Sequence, residues 1–197
     1  MNIKKATVLG AGTMGAQIAA LLVNAGLKVK LLDIVLDKED KNKLSKGAYD
    51  RITHPKKSML YDAKWSKNLT YGNFEDDLKV GDNSDIFIEA VTEKLDIKHG
   101  LWQKVSQIAK EDAILATNTS SIPIGAIAKP LPAEAKARFV GVHFFNPPRY
   151  MKLVEIIPHK ATNPVVVENL KTFISTVLGK GAVDANDVSG FVANRIG

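Results

Sequence analysis

Ile3-Lys4-Lys5-Ala6-Thr7-Val8-Leu9 runs straight into Gly10-Ala11-Gly12-Thr13-Met14-Gly15. A helical pattern follows from Ala16 to Ala25, and a second apolar run, Leu27 to Leu32, ends on Asp33. Strand, glycine turn, helix, strand and acid in that order decide the fold class, because each glycine has a separate reason to be there. The first allows the tight turn out of the strand. Gly12 removes a side chain where backbone must approach a pyrophosphate, and Gly15 lets helix and strand pack closely. The turn delivers a helix N-terminus, with its unpaired N–H groups, to the phosphates. Glycines gathered in a surface turn would explain the motif alone, but not the ordered elements around it.

Asp33 stands 18 residues past Gly15, where a carboxylate can hold the ribose hydroxyls. The same charge repels the additional 2′-phosphate of NADP, and Ile34, Val35 and Leu36 supply no arginine to accept it. The expected cofactor is therefore NAD, with Gly10, Gly12, Thr13, Met14, Gly15 and Asp33 as its candidate contacts. A strand-end turn is the other use of an aspartate here.

The chain has 197 residues, 45% hydrophobic and 24% charged, which suits one α/β domain with a substantial core. It carries no cysteine, so disulfide and thiolate chemistry are excluded, and a cytoplasmic setting is expected. No apolar stretch reads as a membrane span or a secretory leader. The net charge of +6 concentrates between Asp37 and Lys67, with nine Lys or Arg against five Asp or Glu. Three uses compete for that excess: a solvated face, attraction of a phosphorylated small molecule, or nucleic acid. No nucleic-acid motif or aromatic-interleaved basic stripe accompanies it, so no nucleic-acid partner is expected.

Further along, a polar helix is expected over 37–52 and an irregular excursion over 53–73 that ends in a strand near Leu69–Tyr71. A helical turn follows at Phe74–Leu78. Asp85 to Val91 is nearly all apolar, as a parallel strand buried on both faces should be. Lys94 to Lys110 reads as an amphipathic helix and Ala113 to Ala116 as the next strand. The alternation predicts a doubly wound, mostly parallel sheet of the Rossmann type.

From Arg138 the pattern changes. Phe139–Phe145 and Lys152–Ile157 flank the short turn Asn146-Pro147-Pro148-Arg149-Tyr150, and a connection that short favours an antiparallel pair near the C-terminal edge. Pairing about Arg149 sets His143 opposite Glu155. A carboxylate beside an imidazole fixes its tautomer and stabilises the imidazolium, as a general base requires. A core histidine hydrogen-bonded within the sheet is the competing reading. Asn118-Thr119-Ser120-Ser121 follows the Ala113 strand at the rim where ligands bind, although the same residues serve as ordinary loop and cap formers. A helix from Asn163 or Thr162 to about Leu178, closed by Gly179, and a last strand at Gly181–Asp184 complete this part. His54, His99 and His159 are given no role, and no His/Asp/Glu cluster has metal-ligand spacing.

Asn118-Thr119-Ser120-Ser121, Gly141-Val142-His143-Phe144-Phe145-Asn146-Pro147, Lys152-Leu153-Val154-Glu155 and Gly190-Phe191-Val192-Ala193-Asn194-Arg195 together resemble the ordered signature of the L-3-hydroxyacyl-CoA dehydrogenases. Pro148 to Leu153 is most similar to the dehydrogenase part of bacterial multifunctional fatty-acid oxidation proteins. The resemblance implies NAD-dependent oxidation of an L-3-hydroxyacyl-CoA in fatty-acid β-oxidation. His143 would be the base, Glu155 its partner, and Ser120 and Asn194 polar contacts to the substrate. Glu93, Lys98 and Asn146 would lie near the nicotinamide half of the cofactor. It also implies a Rossmann domain over 1–186, then a linker helix beginning in 187–197, leading to a mostly helical second domain that closes the cleft and forms a homodimer. Two other readings are a non-catalytic NAD-binding relative and a dehydrogenase of another 3-hydroxy acid.

Overall fold

The computed structural model describes residues 2–79 and 82–191. Eight strands form one sheet: β1 (Lys5–Leu9), β2 (Lys28–Asp33), β3 (Leu69–Asn73), β4 (Ile86–Glu89), β5 (Ile114–Thr117), β6 (Phe139–Phe144), β7 (Leu153–Pro158) and β8 (Gly181–Asp184). Their order is β3-β2-β1-β4-β5-β6-β7-β8. All neighbours are parallel except β6 and β7, which pair antiparallel around the Pro-Pro turn. The expected doubly wound sheet is thus observed, and β8 lies parallel to β7 at the edge.

Among the described residues, six α-helices cover the sheet: α1 (Thr13–Asn24), α2 (Lys43–Ile52), α3 (Leu95–Ile108), α4 (Ile124–Ala128), α5 (Ala133–Ala137) and α6 (Pro164–Thr172). Strand alternation divides the core. Val8, Ile88 and Val142 face α1, α2 and α6, whereas Leu9, Phe87 and Phe139 face α3, α4 and α5. No described helix is long and apolar enough to cross a membrane.

Boundaries differ from expectation where side chains compete with helical hydrogen bonds. α2 starts at Lys43, because the Asp37 carboxylate accepts the Glu39 N–H at 3.0 Å and holds a turn ahead of it. The 53–73 excursion includes a 3₁₀ turn, Ala63–Asn68, before β3. Asn163 caps α6 by accepting the Val165 N–H, and Thr162 instead donates to the Phe139 carbonyl. The last part of that helix widens into a π turn, Phe173–Val177, where Thr176 donates to the Thr172 carbonyl, and Gly179 ends it at φ +64°. The short helices α4 and α5 carry no periodic signal in the sequence.

Candidate active site

The glycine turn is built as its residue types require. A Cβ on Gly15 would fall on the Gly10 carbonyl oxygen, so α1 and β1 approach as closely as backbone allows. Gly10 has φ +105°, and a Cβ there would come within 2.7 Å of the Ala90 carbonyl oxygen. Gly12 differs: nothing lies within 4 Å of its Cβ position. It opens onto a cavity of about 510 Å³ bounded by Gly10, Asp33, Ile34, Phe74 and Ile97. No side chain caps α1, and no acid lies in its first turn, so its leading N–H groups are left for an anionic ligand. These features fit a dinucleotide whose pyrophosphate lies over Gly12.

Asp33 ends β2 beneath the turn. One carboxylate oxygen accepts the Ala11 N–H at 2.6 Å and the other the Ile34 N–H at 2.7 Å, which fixes the group at the cavity wall. On the other side of the turn, Arg51 of α2 reaches the Ala11 carbonyl oxygen at 3.4 Å. It borders a second cavity together with Gly12, Thr13 and Asp33. Reading only the residues after Asp33 misses this guanidinium, because it arrives from the far end of α2.

His143 and Glu155 are direct register partners in β6 and β7. His143 Nδ1 lies 2.7 Å from a Glu155 oxygen, and the residues are only 7% and 1% exposed. A carboxylate accepts, so Nδ1 carries a proton, and in the neutral ring Nε2 holds the lone pair. The ring packs against Phe145, 4.7 Å away by centroid, and Phe191, 5.9 Å away. His143 shares a cavity of about 430 Å³ with Met14, Glu93, Asn118, Ser120 and Asn146. Asn194 lies outside the described residues.

The Asn118–Ser121 loop and the start of α4 are fastened by three side chains. The Asn118 side-chain oxygen accepts the Phe144 N–H at 2.9 Å, tying the ends of β5 and β6 together. Glu93 accepts the Ser120 N–H at 2.6 Å and the Ser120 hydroxyl at 3.1 Å. Asp187 accepts both the Ile124 and Gly125 N–H groups at the start of α4. Gly141 lets α4 sit on β6, since a Cβ there would meet Ile124 at 2.6 Å. Across the cavity, Asn146 accepts from the Gln17 amide at 3.2 Å.

Lys98 does not reach the cavity wall. It is 1% exposed, and its ammonium lies 2.6 Å from Glu89 and 3.2 Å from Glu93. Glu89, the last residue of β4, is a functional candidate that strand reading overlooks. Its carboxylate is fully buried and also accepts from Thr117 at 2.6 Å, Trp102 at 3.4 Å and the Val91 N–H at 2.9 Å. An acid closing an otherwise apolar strand at the ligand rim is the signal that marks it. Burial pushes the Glu93 carboxyl up, but the Ser120 N–H, the Lys98 charge and the Thr119 hydroxyl together hold it below the usual glutamate value. Glu93 is therefore ionised at neutral pH.

His159 donates to the Lys136 carbonyl at 3.0 Å, and His99 bonds the Ala126 carbonyl at 2.8 Å. Both hold elements together, and neither lines the cavities described above. Among the described residues no group of three or more His, Asp or Glu is placed to hold a metal ion.

Residues 5–188 match the family model described as 3-hydroxyacyl-CoA dehydrogenase, NAD binding domain. The chain is 50% identical over 198 residues to a probable 3-hydroxyacyl-CoA dehydrogenase of Deinococcus radiodurans, covering 100% of this chain and 57% of that protein. It is 44% identical over 197 residues to a putative fatty acid oxidation complex trifunctional enzyme of Rickettsia felis, covering 100% of this chain and 27% of that protein. The crystal structure of 3-hydroxybutyryl-CoA dehydrogenase from Escherichia coli K12 superimposes with a TM-score of 0.82 at 33% identity, over 100% of this chain and 41% of that one. The chain thus spans 57% of the first of these relatives and 27% of the second.

Proposed function

Because this chain belongs to the 3-hydroxyacyl-CoA dehydrogenase family, as its NAD-binding domain, we propose that the protein carrying it oxidises L-3-hydroxyacyl-CoA to 3-oxoacyl-CoA. The observation that carries this reading is the buried His143–Glu155 pair, at 2.7 Å, on the wall of the cavity that Ser120 also lines. NAD, when bound, supplies the acceptor for the hydride leaving the substrate carbon.

The side chains divide the remaining work. Glu155 holds the His143 ring with Nδ1–H toward itself, so Nε2 presents its lone pair to the substrate hydroxyl. That nitrogen takes the hydroxyl proton as the carbon–oxygen bond gains double-bond character, and the adjacent carboxylate offsets the imidazolium charge. The Ser120 hydroxyl, turned from Glu93, donates to the same substrate oxygen and fixes its distance from His143. Phe145 and Phe191 pack against the imidazole and help keep it buried. Asn194, from the segment after Phe191, completes the polar contacts.

The setting is fatty-acid β-oxidation in the cytoplasm. This reading includes a helical second domain that closes the cleft over the acyl chain and pairs two copies; that the chain spans 57% and 27% of two relatives leaves room for such a domain. Incubating the protein, joined to such a domain, with NAD and L-3-hydroxybutyryl-CoA should generate NADH absorbance. His143→Gln should abolish nearly all of it. An inactive wild type that still binds NAD would move the chain to the non-catalytic reading.

A further inference from the structure

Three charged side chains meet beside the cavity, and they do not cancel. Glu89 and Lys98 are an enclosed ion pair at 2.6 Å, and Glu93 joins the same ammonium at 3.2 Å from the solvent side. Every contact of the Glu89 carboxylate described above runs inward, to Lys98, Thr117, Trp102 and the Val91 N–H. Glu89 is not part of the cavity wall, whereas Glu93 is. Without Glu89, the buried lysine would be neutralised by Glu93 alone. With it, the cluster keeps one net negative charge, and that charge is exposed at Glu93.

We propose that Glu89, acting through Lys98, leaves Glu93 as an uncancelled charge beside the nicotinamide and so sets the preference of the site for oxidised over reduced cofactor. The inference rests on the dehydrogenase reading, which brings the nicotinamide into the cavity of His143 and Ser120. Oxidation makes that ring a cation, while the reduced ring is neutral. A fixed negative charge in a partly buried cavity therefore stabilises one form and leaves the other nearly unaffected. Glu93 remains ionised at neutral pH because the Ser120 N–H and Lys98 outweigh its burial. Glu89 touches neither form, so it is a positioning residue that acts by its charge.

The test is calorimetric titration of this chain with NAD⁺ and with NADH in the absence of substrate. The variants are Glu89→Gln, Glu93→Gln and the double substitution, each with a thermal midpoint to check folding. Each single change should weaken NAD⁺ relative to NADH by about tenfold, or about 1.4 kcal/mol. The double variant, which leaves Lys98 unopposed, should lose about a hundredfold. If the cluster serves only to fasten the Ser120 loop, Glu89→Gln will weaken both forms equally, and the proposal fails. It also fails if Glu93→Gln, which keeps a side-chain oxygen to accept the Ser120 N–H, leaves the ratio unaltered. Loss of turnover in His143→Gln concerns proton transfer and does not move this ratio, so the two accounts fail separately.

Discussion

Gly15 and Gly10 are packed so closely that the Cβ missing from the first would coincide with the carbonyl oxygen of the second. Gly12, between them, has no atom within 4 Å of its own Cβ position and an ordinary φ of −66°. Gly15 therefore serves the fold, and Gly12 is proposed to serve the ligand. Gly15→Ala should destabilise the protein by about 3 kcal/mol, the upper end for overpacking. Gly12→Ala should leave stability within about 0.5 kcal/mol of wild type. Its NAD affinity should nevertheless fall by at least about tenfold. Thermal melts and calorimetric titration of both variants separate the roles.

Asp33 and Arg51 stand on either side of Ala11, one bonding its N–H and the other its carbonyl oxygen. The wild-type chain should prefer NAD, since the Asp33 carboxylate repels a 2′-phosphate. Asp33→Ala removes the repulsion with a guanidinium already at hand, so NADP should bind more tightly than in wild type and the gap should narrow. Adding Arg51→Ala should cancel that gain. Titration of both cofactors against the three proteins decides it, and equal affinities in wild type would contradict the assignment.

His159 provides a pH signature. It is 8% exposed, and burial holds its pKa below the ordinary value of 6.5, against the opposing pull of the Lys136 carbonyl and Asp187. The neutral ring is the form that the fold accommodates, so the unfolded chain binds more protons in the window below about 6.5. The contribution is complete above that value and is lost as pH falls toward the folded pKa. Denaturant unfolding between pH 7.5 and 5 should show a decline that is smaller in His159→Gln.

The local signals in the sequence carried furthest. The glycine spacing gave the first βαβ unit because each glycine answers a backbone constraint within a few residues. The five-residue turn about Arg149 fixed the His143–Glu155 register for the same reason. Signals spread over several elements did not carry. Glu89, Glu93 and Lys98 belong to a strand, a loop and a helix, and only folding puts the lysine between two acids. Arg51 reads as one more charge in a basic stretch until α2 brings it to the glycine turn. The helices α4 and α5 span five residues each, too few to show a period, and the Asp187 contacts that anchor α4 span more than 60 positions.

His143 and Glu155 are proposed to act as one unit in proton transfer. Steady-state oxidation of a 3-hydroxyacyl-CoA, read by NADH absorbance, should be compared among wild type, His143→Gln, Glu155→Gln and the double variant, each joined to the helical domain. General-base catalysis contributes about 100- to 10,000-fold, so each single change should lower turnover within that range. Groups that act together lose their effects non-additively, so the double variant should be little worse than His143→Gln. NAD affinity should remain nearly constant, because the proposed pyrophosphate and ribose contacts, Gly12 and Asp33, are not part of the pair. Full activity in His143→Gln, or losses that multiply in the double variant, would make the pair structural and place the base elsewhere.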